Sequence, residues 1–171
     1  MYSDFYDLYH GYYNRNILNN ERENNNFASD EIITLNQAIE LIKQSVADEK
    51  EDELFYDKLI LQAPTEKEKT IISSIRDDER KHNYILRELY FEFTGQRLSQ
   101  EILQKNLDSH TSYQDNLEKA LFGELNAVTK YRKIMGVMPS GYSYNLLMSI
   151  MTDELRHASK YNFLISNLTR N

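Results

Sequence analysis

Six residues of this chain occur twice at one spacing, and that duplication limits the fold more than any other feature. Glu49, Tyr56, Pro64, Asp78, Glu79 and His82 recur 75 residues later as Glu124, Tyr131, Pro139, Asp153, Glu154 and His157. Composition alone does not produce six coincidences at a single offset. A repeated segment builds the same supersecondary unit twice, so the chain must fold as two copies of one motif.

Hydrophobic periodicity identifies the motif. From Ser29 onward Leu35, Ile39, Ile42, Val46, Tyr56 and Ile60 share one helical stripe with Glu49. After Pro64, with Thr65 as the cap, Ile71, Ile75, Leu86, Leu89 and Phe93 form a second stripe that includes Glu79 and His82, and Gly95 stops it. A polar stretch from Gln96 to Ser112 separates the copies. The second copy shows Leu117, Leu121, Val128, Tyr131 and Met135 with Glu124, a Met138-Pro139-Ser140-Gly141 turn, then Leu147, Ile150, Tyr161, Leu164 and Leu168 with Glu154 and His157. Four helices in two short hairpins, joined by one longer crossover, predict an all-α, ferritin-like antiparallel four-helix bundle over residues 30–171.

The same spacing predicts a site. Pro64 is midway between Glu49 and Glu79, and Pro139 midway between Glu124 and Glu154. If each proline marks a turn, all four glutamates lie about 22 Å down the bundle, at one height, given a rise of about 1.5 Å per residue. Each Glu-x-x-His puts its imidazole on the same helix face as its carboxylate. A lone Glu-x-x-His means little, since a solvated helix face supplies such pairs by chance; two of them in duplicated hairpins are another matter. Four buried unpaired carboxylates would each cost several kcal/mol, and the inward stripes offer no Arg or Lys to compensate. Two divalent cations shared by bridging glutamates remove that penalty.

Composition narrows the metal. The chain has no cysteine, which excludes disulfides, iron–sulfur clusters and thiolate-held zinc. Carboxylate and imidazole suit iron and manganese, and zinc would bind as well. A net charge of −7 argues against nucleic acid and anionic membrane as partners. There is no long apolar run and no secretory-type apolar stretch at the start, so a cytoplasmic location is the expectation.

Over residues 30–171 the sequence resembles the rubrerythrin-like branch of the ferritin-like di-iron carboxylate proteins. Ala47-Asp48-Glu49 to Phe55-Tyr56 and Asp78-Glu79-Arg80-Lys81-His82 are similar to that branch's first hairpin. Gly123-Glu124 to Tyr131 and Asp153-Glu154-Leu155-Arg156-His157 are similar to its second. The resemblance implies two iron ions, with Glu49, Glu79 and His82 serving one and Glu124, Glu154 and His157 the other, Glu79 and Glu154 bridging. It gives Asp78 and Asp153 the role of orienting a histidine of the opposite hairpin, the alternative being surface aspartates. Tyr56 and Tyr131 either hydrogen-bond a glutamate or find another partner.

The chain departs from that branch in two ways. Peroxide-reducing members carry a further carboxylate three residues after the third glutamate, where this chain has Ala127; the related position of the first hairpin is Asp52, either a relocated ligand or part of the exposed acidic run Asp48 to Glu53. Full-length members also carry a cysteine-ligated, rubredoxin-type iron domain that feeds the metal pair electrons, and this sequence has no cysteine with which to build one.

Three functions compete at this stage. The resemblance implies peroxide reduction with an external reductant. The second is ferrous binding and oxidation by oxygen, in hairpins short for a ferritin-type cage and so expected to form a homodimer. The third is a metal-stapled coat component using the tyrosine- and asparagine-rich segment 1–29, with spore association on that reading. His10 and His110 fall outside the periodic helices and are expected to be exposed and unliganded.

Overall fold

The computed structural model describes residues 33–99 and 111–168. The segment 1–29, His10 and His110 lie outside the described residues. Everything described is helix, turn or short connection, with no strand among the described residues.

The four helices are α1 (Leu35–Gln62), α2 (Glu66–Thr94), α3 (Tyr113–Met135) and α4 (Tyr142–Leu168). Local chemistry sets their ends. Thr34 accepts a hydrogen bond from the Gln37 backbone N–H while the Gln37 side chain accepts one from Thr34 N–H, so α1 starts with a reciprocal cap. Thr65 and Glu68 repeat the arrangement at α2. Gly95 ends α2 with φ 68°, a left-handed conformation that costs glycine nothing and a Cβ-bearing residue strain. Ser112 caps α3 through the Asp115 backbone N–H.

Helix α1 packs along α2 and α3 along α4, making the two hairpins. Across the hairpins α1 meets α3 and α2 meets α4. The hairpins point in opposite directions: Leu59, Ala63 and Ile72 near the first turn share a core cluster with Leu117 at the start of α3 and Leu164 near the end of α4. The end of α2 and the start of α3 therefore lie at opposite ends of the bundle. This is the ferritin-like bundle of duplicated hairpins that the repeat implies.

Two inward assignments shift by one position. Leu59 and Ile72 are fully buried, whereas Ile60 and Ile71 pack half-buried at the edge of the same cluster. A period of 3.6 residues lets either the third or the fourth residue face inward, and the partner helix decides.

Apolar layers close the bundle on both sides of its middle. Tyr56, Leu59, Ile72, Ile75, Leu117 and Leu164 fill one side, and Ile42, Val46, Leu86, Leu89, Ile134, Leu147 and Ile150 lie on the other. Between them sit Glu49, Glu79, His82, Glu124, Glu154 and His157, none more than 3 % exposed. That polar layer, cut off from water by hydrocarbon, is where the chemistry must be.

Candidate metal centre

Each helix contributes to the layer from its middle: Glu49 from α1, Glu79 and His82 from α2, Glu124 from α3, Glu154 and His157 from α4. Their ligand atoms converge in two overlapping groups, Glu49, Glu79, His82, Glu154 and Glu79, Glu124, Glu154, His157, with every atom of a group within 4.8 Å of the others. Glu79 and Glu154 belong to both.

The two shared glutamates divide their oxygens between the imidazoles. Glu79 Oε2 lies 3.0 Å from His82 Nδ1 and its Oε1 lies 3.1 Å from His157 Nδ1. Glu154 Oε1 lies 3.2 Å from His82 Nδ1 and its Oε2 lies 3.4 Å from His157 Nδ1. Glu49 approaches only His82, at 3.7 Å, and Glu124 only His157, at 3.5 Å. Donors each about 2.1 Å from one cation stand roughly 3.0–3.4 Å apart, so these separations fit a cation within each group. The imidazole centroids are 5.8 Å apart.

The far nitrogens are also fixed. His157 Nε2 is 3.2 Å from Asp78 Oδ2, and His82 Nε2 is 3.4 Å from Asp153 Oδ2. Each aspartate reaches the histidine of the opposite hairpin. A carboxylate at Nε2 holds the proton there and leaves the Nδ1 lone pair facing the cluster, the arrangement of a metal-binding imidazole. Tyr56 Oη donates to Glu124 Oε1 at 2.6 Å, and Tyr131 Oη donates to Glu49 Oε1, again across the hairpins. Burial pushes both phenols well above their usual range, so they remain donors.

Sequence reasoning missed what lies behind the aspartates. Arg156 Nη2 donates to Asp78 Oδ2 at 3.0 Å and to Asp153 Oδ1 at 2.8 Å, and Lys81 Nζ donates to Asp78 Oδ1 at 2.8 Å. Against its burial, Lys81 and His157 hold the Asp78 carboxyl down at about 2. The signal was available: Lys81 and Arg156 precede their histidines at the same 75-residue offset. Asp52 stands apart from both groups. It is half-buried on α1, and burial followed by the charge of Glu49 raises its carboxyl to about 7.

The electrostatics show what the layer lacks. Burial and the charge of Glu49 push Glu79 up to about 8, and burial pushes Glu124 well above the carboxylate range. Against its burial, the carboxylates of Glu124, Glu154 and Glu79 raise His157 to about 12. Without a cation, protons have to hold these charges together. No lysine or arginine is buried among the described residues to do so. Glu79 Oε1, Glu154 Oε1 and His157 Nδ1 are buried and make no well-directed hydrogen bond, a costly state for polar atoms unless something binds them. The donor set and its unsatisfied atoms fit metal ions.

No family model, no curated protein and no solved structure matches the chain. The functional reading therefore rests on the cluster itself. A groove of about 1050 Å³ lined mainly by α1 and α3 residues offers a single carboxylate, Glu40, and no histidine, so that groove presents no competing acid–base or metal constellation.

The tyrosine contacts can be checked by unfolding. Tyr56→Phe leaves the buried Glu124 Oε1 without its donor, which is expected to cost about 1–3 kcal/mol in urea-induced unfolding of the metal-free chain. Tyr84→Phe, at a hydroxyl on an exposed ring, is the control and should change little.

Proposed function

We propose that this chain is a di-iron carboxylate protein that reduces hydrogen peroxide in rubrerythrin-like fashion, drawing electrons from an external donor. The observation that carries the reading is the sharing of Glu79 and Glu154, each with one oxygen toward either imidazole. Shared carboxylates of this kind hold two cations side by side, as two-metal chemistry requires. Carboxylate and imidazole without cysteine favour iron or manganese over softer-ligand metals.

Two ferrous ions held there would supply the two electrons that, with two protons, convert one peroxide into two waters. The chain's own residues prepare the place. Asp78 and Asp153 keep the imidazoles turned so that Nδ1 binds. Tyr131 and Tyr56 each anchor one oxygen of Glu49 and Glu124, leaving the second free to bind. The apolar layers on either side keep bulk water from the oxidised site.

Metal counting and oxidation on one anaerobically reconstituted sample test this. The expectation is two irons per chain, with the ferrous form oxidised at least about tenfold faster by peroxide than by oxygen at equal concentration, a difference of about 1.4 kcal/mol in barrier. Equal rates would favour ferrous oxidation by oxygen. Fewer than one tightly held metal per chain would end the metal-centre reading itself. A homodimer, the external reductant and a role for the 1–29 segment in a coat belong with the proposal and are read from solution mass, donor turnover and a chain lacking that segment.

A further inference from the structure

The internal repeat lets the two hairpins be compared position by position, and their outer faces differ. Lys130 on α3 pairs with Asp48 of α1, and Arg156 on α4 with Asp78 of α2, so those flanks of α3 and α4 meet the first hairpin. The opposite flank of each helix, on the outside of the second hairpin, carries Phe122 and Leu125 on α3 and Met148 and Leu155 on α4. These four side chains are exposed by 62, 41, 37 and 45 %.

In the first hairpin the same positions are Ala47, Lys50, Ser73 and Arg80. Glu53 joins two of them across the hairpin, accepting from Lys50 Nζ at 2.6 Å and from Arg80 Nε at 2.8 Å. At the 75-residue offset that ion-paired trio becomes Leu125, Val128 and Leu155. The Glu53 bridge shows that these positions adjoin across a hairpin, so their apolar counterparts form one patch. One copy closes its outer face with its own charges, and the other has exchanged all three for hydrocarbon. The inward residues Glu124, Tyr131, Glu154 and His157 keep their counterparts, so the divergence is on the outside. A lone exposed leucine is ordinary, whereas a joined apolar patch marks a contact surface.

Size and charge identify what covers it. Two helices of about 25 residues side by side present on the order of 700 Å². A stable protein interface buries roughly 800 Å² per partner. The charges that flank the patch on α3 complement each other: Glu118 and Arg132 stand seven residues to either side of Leu125, on one helical stripe. A twofold axis at Leu125 runs two copies of α3 antiparallel and sets each Glu118 toward the other copy's Arg132. Glu118 accepts from Gln114 Nε2 at 3.0 Å, and a carboxylate has acceptor sites for more. On α4 the stripe Met148, Thr152, Leu155 and Ser159 carries no charge to oppose the approach. An apolar centre with charges at its rim is the anatomy of a protein interface.

We propose that the outer face of the α3–α4 hairpin is the contact between two copies of this chain, with Phe122, Leu125 and Leu155 at its centre and Glu118 facing Arg132 at its edges. The inference gives the homodimer of the proposed function its contact face, and it does not require the buried cluster to hold metal. The same patch serves both copies, so the assembly closes at two.

Sedimentation equilibrium of the full chain tests the interface. At about 50 µM chain, a micromolar Kd leaves most of the protein dimeric, and the expected mass is twice 20.3 kDa. Leu125→Lys, Val128→Glu and Leu155→Arg together give the second face the trio that the first already carries at the same helical positions. This triple variant is expected to run as a monomer, with Kd raised at least about 100-fold. Tyr84→Ser removes an exposed ring from the first hairpin and should leave the dimer intact. The absence of cysteine allows a second measurement that does not depend on the triple variant folding. Leu125→Cys should be joined between copies by a short bis-maleimide, and Lys50→Cys should not. Wild-type protein that is monomeric at that concentration overturns the proposal and leaves a different protein as the occupant. A triple variant that folds and still dimerises, or cross-linking of Lys50→Cys in place of Leu125→Cys, overturns it by placing the contact elsewhere. Iron per chain, counted separately, decides the metal centre, so the two readings fail independently.

Discussion

Glu79→Ala is expected to abolish binding of both metals, whereas Glu49→Ala is expected to leave one. The difference follows from which donors are shared. Glu79 places one oxygen 3.0 Å from His82 Nδ1 and the other 3.1 Å from His157 Nδ1, so its removal takes a donor from each group. Glu49 belongs only to the group of His82. Loss of a residue that merely orients a ligand typically weakens metal binding about 10–100-fold, and loss of a ligand itself should exceed about 100-fold at each affected position. Glu154→Ala should behave as Glu79→Ala, and Glu124→Ala as Glu49→Ala, because the bundle is pseudo-symmetric. Metal per chain after gel filtration, by elemental analysis, reads the result directly. Two metals retained in Glu79→Ala would mean that the shared position is not a bridge. One metal lost in each of the four variants would mean two independent sites.

That prediction could be drawn largely from sequence because the duplication states its own geometry. Equal distances from Glu49 and Glu79 to Pro64 place the carboxylates at one height whatever the packing details, and the same holds around Pro139. Hairpin topology and the crossover follow from the same spacing, and the fold observed is the one so implied. What sequence could not give was which hairpin each side chain would reach. Tyr56 and Glu49 share α1, two turns apart, yet Tyr56 donates to Glu124 of the other hairpin. That choice depends on the α1–α3 packing, which no periodicity encodes. The choice of Leu59 and Ile72 over Ile60 and Ile71 has the same origin, since a helical stripe leaves neighbouring positions nearly equivalent until a partner helix is present. Arg156 was hard to read for a different reason. A basic residue beside a histidine is ordinarily a surface charge, and only the folded bundle brings it between Asp78 and Asp153. Asp52 shows the limit most clearly: the repeat pairs it with Ala127, but whether an aspartate reaches the metal layer or lines a crevice turns on distances of a few ångströms.

Metal-free protein should lose stability as pH rises from about 5 to 8, and metal-loaded protein should gain it over the same range. The sign follows from the protonation of the buried layer. Glu79 is raised from 4.5 to about 8 in the folded chain, so it favours folding fully below pH 4.5 and ceases to as pH rises through about 8. His157 is raised from 6.5 to about 12, so its contribution is complete below pH 6.5 and is lost as pH rises toward 12. Both groups therefore slope downward across pH 6.5–8. Asp78, lowered from 3.8 to about 2, acts in the opposite sense, but its stabilisation is complete above pH 3.8 and lost only below it. The metal-free melting temperature should fall by roughly 10 °C between pH 5 and pH 8, a few kcal/mol for a bundle of this size. Metal inverts the slope because cations bind deprotonated carboxylate and neutral imidazole, displacing the protons that hold the empty layer together. At a free metal concentration about 1,000-fold above Kd, each ion adds about 4 kcal/mol, so the two curves should diverge most at the alkaline end. Melting scans with chelator and with added metal, at pH 5, 6.5 and 8, test this directly. Parallel curves would show that the buried Glu/His layer does not exchange protons for metal, and the charge argument for the centre would then fail.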